Sequence, residues 1–157
     1  MSRVAVIGGG PAGIMAAAAA AGCGHDSVLL EKNEKLGKKL FLTGKGRCNI
    51  TNSCDTDDFF ANIPRNPKFL YSALYGFSNT DIVELINANG VPTKVERGKR
   101  VFPASDKSSD VIKALARHLN NSGAELRLNT EVSGIRKAGS GFELTVNGCR
   151  EAFDAVI

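Results

Sequence analysis

A chain of 157 residues with 43% hydrophobic and 23% charged side chains has the make-up of a folded domain, which excludes a disordered segment. Its 20 basic and 16 acidic residues leave a net charge of +4, too small an excess to indicate nucleic acid by itself. Four cysteines (Cys23, Cys48, Cys54 and Cys149) without a CxxC pair, and only two histidines, His25 and His118, give no zinc-like spacing, so no metal site is expected.

The apolar, alanine-rich stretch up to Gly22 is no membrane span, because three successive glycines and Pro11 interrupt it and the remaining run is shorter than the roughly 18–20 residues a span needs. With no secretory signal, the expected location is a reducing cytoplasm in which the thiols stay free. Val4–Ile7 is a short β-branched run suited to a strand buried on both faces of a parallel sheet. Gly8 to Gly10 end it, Pro11 opens a helix of small residues through Ala21, and Gly22 closes that helix. Val28–Leu30 is the second strand, ending at Glu31, so residues 1–31 read as a β-α-β unit.

Residues 33–66 read as glycine-rich polar loop with short regular pieces, and a loop of that length in a domain usually serves a ligand. Helices are expected over Pro67–Phe77 and Thr80–Asn89, the second capped by Asn79 or Thr80 and stopped by Gly90. Together, residues 32–107 form that ligand loop and an inserted helical lobe in this reading. Within it, Thr93–Glu96 and Arg100–Phe102 make a hairpin around Arg97, Gly98 and Lys99. A helix capped by Ser109 or Asp110 then runs to about Leu119, followed by a strand at Glu125–Leu128. A small β-meander over Val132–Arg136, Phe142–Val146 and Glu151–Phe153 comes next. Ala155, Val156 and Ile157 open a further apolar run in which the chain stops. The expected fold is therefore α/β and Rossmann-like, with a parallel sheet, a small β-meander and an inserted helical lobe, truncated in a late strand.

Gly8-Gly9-Gly10-Pro11-Ala12-Gly13 matches GxGxxG, with strand, loop and helix in the right order. Gly8 permits the tight turn, Gly10 lets a pyrophosphate approach the backbone, and Gly13 lets the helix pack on the sheet. The helix amino terminus then faces the phosphates. Glu31, about 20 residues beyond the glycines, can accept hydrogen bonds from an adenosine ribose and repels a 2′-phosphate, which disfavours NADP and leaves FAD or NAD.

A helix dipole contributes only about 0.3–2 kcal/mol against the roughly 8 kcal/mol of micromolar binding, so a second contributor is needed. The stretch Thr43-Gly44-Lys45-Gly46-Arg47-Cys48-Asn49-Ile50-Thr51-Asn52 suits that role, with two glycines for close approach and several polar side chains. It is not a P-loop, since no glycine stands at the required distance before Gly44-Lys45 and no Ser or Thr follows Lys45. Of the basic residues Lys32, Lys35, Lys38, Lys39, Lys45 and Arg47, interrupted by Glu31 and Glu34, only Arg47, inside the glycine loop, reads as more than a solvated charge. Cys48 lacks a CxxC partner and takes no catalytic role; the catalytic residues stay unassigned.

These segments, together with Glu31-Lys32-Asn33, Leu36-Gly37-Lys38-Lys39-Leu40 and Arg100-Val101-Phe102-Pro103-Ala104-Ser105, resemble the BaiN-like flavoproteins, also known as aminoacetone oxidase-like NAD(P)/FAD-dependent oxidoreductases. The resemblance covers the chain and about the first two fifths of such a protein. It implies an FAD/NAD(P)-binding domain whose substrate domain is absent here, in which Gly8, Gly10, Gly13 and Glu31 hold the ADP portion of FAD and Pro11, Ala12 and Lys32 are also cofactor-binding. It further implies that Lys39, Gly44, Gly46, Arg47 and Asn49 lie near the pyrophosphate or isoalloxazine, with Thr43 and Cys48 also cofactor-binding, and that Val132 meets adenine through its backbone. The implied parent passes electrons between FAD, with NAD(P)H as a candidate donor, and a small organic substrate. The expected partners are that substrate and the missing carboxy-terminal half, with no nucleic acid and no membrane, and the chain alone is expected to be inactive. Two alternatives stand beside this reading. One is a NAD-binding dehydrogenase domain, which leaves the Thr43–Asn52 loop unexplained, and the other is a non-catalytic nucleotide- or RNA-binding module using the basic loop.

Overall fold

Residues 3–7 are apolar and β-branched after Arg3, and they form strand β1 (Arg3–Ile7), which is buried through Val4, Ala5 and Val6. The computed structural model describes the whole chain, Met1–Ile157. Helix α1 (Pro11–Gly22) follows, with Pro11 in its first turn where a missing N–H costs nothing. Strand β2 (Asp26–Leu30) returns parallel to β1, pairing Arg3 with Asp26 and Ile7 with Leu30. The β-α-β opening is thus present, with β2 starting two residues earlier than Val28.

The chain forms two compact units, Met1–Leu40 with Leu115–Ile157, and Phe41–Ala114. The first holds a parallel sheet in the order β10-β1-β2-β6, where β6 is Glu125–Arg127 and β10 is Ala155–Val156. It also holds an antiparallel meander of β7 (Val132–Ala138), β8 (Gly141–Val146) and β9 (Cys149–Phe153). Asn147 and Gly148 join β8 to β9 with positive φ of 47° and 82°, the two left-handed positions a tight hairpin turn demands.

Period-two alternation along β2 decides what lies on each face of the sheet. Val28 and Leu30 pack with Ala5 of β1 against Leu144, Val146 and Phe153 of the meander. Leu29, one residue out of phase, turns to the opposite face, under the start of α1 near Gly13. Each face of β2 therefore has its own cover, which is why Val28–Leu30 is an uninterrupted apolar run.

The second unit contains the ends of α2 (Lys38–Leu42) and α6 (Ser108–Ser122) and an antiparallel sheet β3-β5-β4. Its strands are β3 (Thr51–Asn52), β4 (Thr93–Glu96) and β5 (Arg100–Pro103). Helices α3 (Thr56–Ala61), α4 (Tyr71–Gly76) and α5 (Asn79–Ala88) complete it.

Three local expectations are corrected here. The cap of α5 is Ser78, not Asn79 or Thr80: its hydroxyl accepts from the Asp81 N–H at 3.2 Å while the Asp81 carboxylate accepts from the Ser78 N–H at 2.6 Å, a reciprocal capping box. Asn79 is buried inside the helix and donates its amide to the carbonyls of Asn52 (2.7 Å) and Cys54 (2.8 Å), which fastens α5 to the end of β3. The Pro67–Phe77 stretch is a 3₁₀ turn over Pro67–Leu70 followed by α4, not one helix. Helix α6 begins at Ser108, ahead of Ser109, with the Ser108 hydroxyl donating to the Phe41 carbonyl at 2.9 Å. No helix is long and apolar enough to cross a membrane.

Leu144 is fully buried between sheet and meander. Leu144→Ala should destabilise the fold by about 2–5 kcal/mol, read as a lower urea midpoint, whereas a change confined to the exposed face of β7 should leave the midpoint nearly unmoved.

Candidate functional site

The carboxyl ends of β1 and β2 open onto a cavity of about 550 Å³, within the roughly 300–1,000 Å³ of ligand sites. It is lined by Gly8, Gly10, Ala12 and Gly13 from the glycine bend, Glu31, Lys32 and Asn33 after β2, Lys39, and Thr130, Glu131 and Val132 before the meander. Most of the residues assigned by sequence to the ADP portion therefore meet at one place, with Lys39 and Val132 beside them. Pro11 stands exposed at the first helical position between Gly10 and Ala12.

The glycines divide the work. Gly8 has φ of 105°, a conformation other residues rarely adopt. A β-carbon on Gly13 would run into the Gly8 carbonyl oxygen and lie 3.4 Å from Leu29, so glycine there is what lets α1 sit low on the sheet. A β-carbon on Gly10 would meet nothing within 4 Å, which leaves open space in front of the helix. No side chain caps α1, and its first turn contains no acid. Its leading N–H groups and the positive end of its dipole are available to an anion.

Glu31 is 7% exposed and binds the bend from the far side. One carboxylate oxygen accepts from the Gly9 N–H at 2.6 Å; the other accepts from the Asn33 N–H at 2.7 Å and from the Asn33 side-chain amide at 2.5 Å. A carboxylate offers roughly four acceptor positions, so three protein donors leave one for a hydroxyl of a sugar. Burial pushes the Glu31 carboxyl up, but the donors on Asn33 and Gly9 and the charge of Lys32 outweigh it and hold the group below its ordinary value of 4.5. The carboxylate is thereby kept ionised, able to accept from a hydroxyl and to repel a phosphate.

Sequence reasoning passed over Gly9, Asn33, Thr130 and Glu131. Gly9 was the unspecified position of the motif, yet a β-carbon there would lie 2.5 Å from Leu36 and 3.0 Å from Glu31. Asn33 carried a signal in standing two residues after the acid, where its N–H can turn back on the carboxylate. Thr130 and Glu131 had none, because they reach the cavity only through the pairing of β6 with β2.

The other predicted residues, Thr43, Gly44, Gly46, Arg47, Cys48 and Asn49, belong to the second unit. Thr43–Gly46 is a 3₁₀ turn with left-handed backbone at Gly44 and Lys45. Cys48 is buried, and burial raises its thiol pKa despite a hydrogen bond from Thr43, which suits a packed thiol better than a reactive one. The Arg47 guanidinium pairs with Glu96 and with Asp106.

The chain matches the family described as "HI0933-like protein Rossmann domain" over residues 2–157. It is 33% identical over 159 residues to the 3-dehydro-bile acid delta(4,6)-reductase of Clostridium scindens, covering 100% of this chain and 38% of that protein. It is 31% identical over 143 residues to the ribosomal RNA dihydrouridine synthase of Escherichia coli, covering 91% of this chain and 35% of the relative. The chain thus spans less than two fifths of these relatives. Among solved structures, THI4 of Thermovibrio ammonificans superposes with a TM-score of 0.63 at 12% identity, covering 99% of this chain and 55% of that one, a likeness of fold.

Two predictions follow from this geometry. Gly13→Ala should cost about 1–3 kcal/mol by overpacking against the Gly8 backbone, whereas Gly10→Ala, with no neighbour to strike, should cost less than about 1 kcal/mol; urea unfolding of the two variants separates them. Because the folded Glu31 carboxyl is depressed, its contribution is fully present above pH 4.5 and disappears as pH falls through the lowered folded value. Glu31→Gln should therefore be less stable than the wild type near pH 7 and lose less stability on acidification, as measured by urea midpoints between roughly pH 3 and pH 7.

Proposed function

Because the chain belongs to the HI0933-like Rossmann-domain family, we propose that it is the amino-terminal FAD-binding portion of a flavin-dependent oxidoreductase. The observation that carries this reading is the meeting of an uncapped helix start and an ionised, nearly saturated carboxylate on one cavity. The α1 amides hold the diphosphate, Gly10 admits it, Glu31 accepts from the adenosine ribose, and Val132 borders the adenine through its backbone. Lys32 and Lys39, on the cavity wall, add positive charge towards the phosphates. The assignment of Thr43, Gly44, Gly46, Cys48 and Asn49 to the flavin rests on the sequence resemblance.

Bound FAD would supply a two-electron carrier; the chain's own residues bind and orient it. The names of the two relatives describe one kind of change, the addition of hydrogen across a carbon–carbon double bond: a delta(4,6) steroid in one and uridine in the other. In both the double bond is conjugated to a carbonyl. The parent is accordingly proposed to reduce a carbon–carbon double bond activated by a neighbouring carbonyl, with NAD(P)H as the donor. The RNA-directed relative keeps RNA among the substrates to test, against the sequence-based expectation of no nucleic-acid partner.

The chain should be titrated with FAD, NAD, ADP and 2′-phosphoadenosine compounds while its thermal midpoint is followed. FAD and ADP should raise the midpoint, by about 2.7 kcal/mol of stabilisation at a hundredfold excess over Kd, and the 2′-phosphorylated compounds should not. No response to either FAD or ADP would overturn the cofactor assignment; a preference for NAD over FAD would favour a dehydrogenase domain.

A further inference from the structure

We propose that Arg47 is a positioning residue, a strut that holds the Thr43–Asn49 loop in shape through Glu96, Asp106 and Phe102, and not a ligand of the cofactor phosphates. The loop is one that the polypeptide does not adopt unaided. Gly44, Lys45, Gly46 and Cys48 have φ of 56°, 56°, 85° and 60°, and two of these carry side chains that disfavour the left-handed region. Such a conformation persists only where the surroundings over-determine it.

Those surroundings are all within the second unit. The Cys48 N–H donates to the Thr43 carbonyl at 3.1 Å and the Arg47 N–H to the Gly44 carbonyl at 3.2 Å. With its amide oriented to satisfy its neighbours, Asn49 donates to the carbonyls of Thr51 (3.0 Å) and Val101 (3.2 Å). A β-carbon on Gly44 would sit 3.0 Å from the Asn49 nitrogen and 3.5 Å from the Phe102 ring, so the loop is folded tightly onto that ring.

Arg47 spans this loop from outside. Its Nε and Nη2 donate to Asp106 at 2.9 and 2.6 Å, Nη2 also donates to Glu96, and the guanidinium lies 4.3 Å over the Phe102 ring. Lys94 closes the group, 2.6 Å from Asp106 and 3.5 Å from Glu96. Two cations and two carboxylates cancel, so the cluster offers a phosphate no net attraction. The anchors lie on separate segments, Glu96 at the end of β4 and Asp106 just after β5, and a planar fork that also stacks on a ring is a role lysine does not fill. The hydrogen bonds that depress the carboxyls of Glu96 and Asp106 and raise the Arg47 value agree with this pairing.

Phosphate ligation and strut action give opposite signs for one variant. In a background where Cys23, Cys54 and Cys149 are serine, the buried Cys48 thiol reports loop opening through its reaction with a thiol reagent, measured beside the global unfolding free energy. Arg47→Ala, Arg47→Lys and the double variant Glu96→Gln/Asp106→Asn should each speed Cys48 modification by about tenfold or more beyond what global unfolding allows. The carboxylate variant should also weaken FAD binding, as should Arg47→Ala. Were Arg47 a phosphate ligand, removing Glu96 and Asp106 would free it and tighten FAD binding while Cys48 stayed protected; that result overturns the proposal. If Arg47→Ala does not fold, the carboxylate variant and Arg47→Lys decide the matter. If the wild type fails to bind FAD, the cofactor reading falls, and Cys48 protection alone still tests the strut.

Discussion

The passage from β1 into α1 depends on a carbonyl oxygen resting against a bare α-carbon. Because nothing larger than hydrogen stands at Gly13, the Gly8 carbonyl and the first turn of the helix share the same space above Leu29. That contact brings the helix low on the sheet, and the leading amides come down with it to the ends of β1 and β2. Gly8 in its positive-φ conformation makes the turn possible, and Gly10 leaves the space in front of the amides empty.

Glu31 turns this bend into a site. A buried carboxylate without partners would be costly to ionise, and here three N–H donors from Gly9 and Asn33 remove that cost. The same bonds tie the glycine bend to the segment after β2, so the carboxylate that lines the cavity also braces the backbone of the bend. It lies close enough, with Leu36, to leave Gly9 no room for a side chain of its own. The opposite face of the sheet has a different task. There the meander covers Ala5, Val28 and Leu30 with Leu144, Val146 and Phe153, and Arg3 adds a cap by lying 4.5 Å over Phe153 and donating to the Ala152 carbonyl.

The second unit applies a similar logic with charges in place of burial. Its glycine-rich turn is held by a neutral quartet of Arg47, Lys94, Glu96 and Asp106, by the Asn49 amide and by the Phe102 ring. A basic residue inside a glycine loop suggests an anion at first sight. Here its countercharges come from β4 and the segment after β5, some 50 residues further along the chain and unreadable from the loop itself.

The sequence by itself determined the β-α-β opening, the glycine bend, the carboxylate at position 31, the β4–β5 hairpin and the meander. All of these rest on local rules: period-two alternation, the permissiveness of glycine, and proline at a helix start. It misplaced the cap of α5 and the start of α6, because Ser, Asn, Thr and Asp stand together at the first and Ser and Asp at the second, and only the final backbone path decides where the helix begins. It could not show that Gly9 packs against Leu36, that Thr130 and Glu131 reach the cavity, or that Arg47 is already paired. Each of those facts depends on groups far apart in the chain being brought within a few ångströms, and only the tertiary structure supplies that neighbourhood.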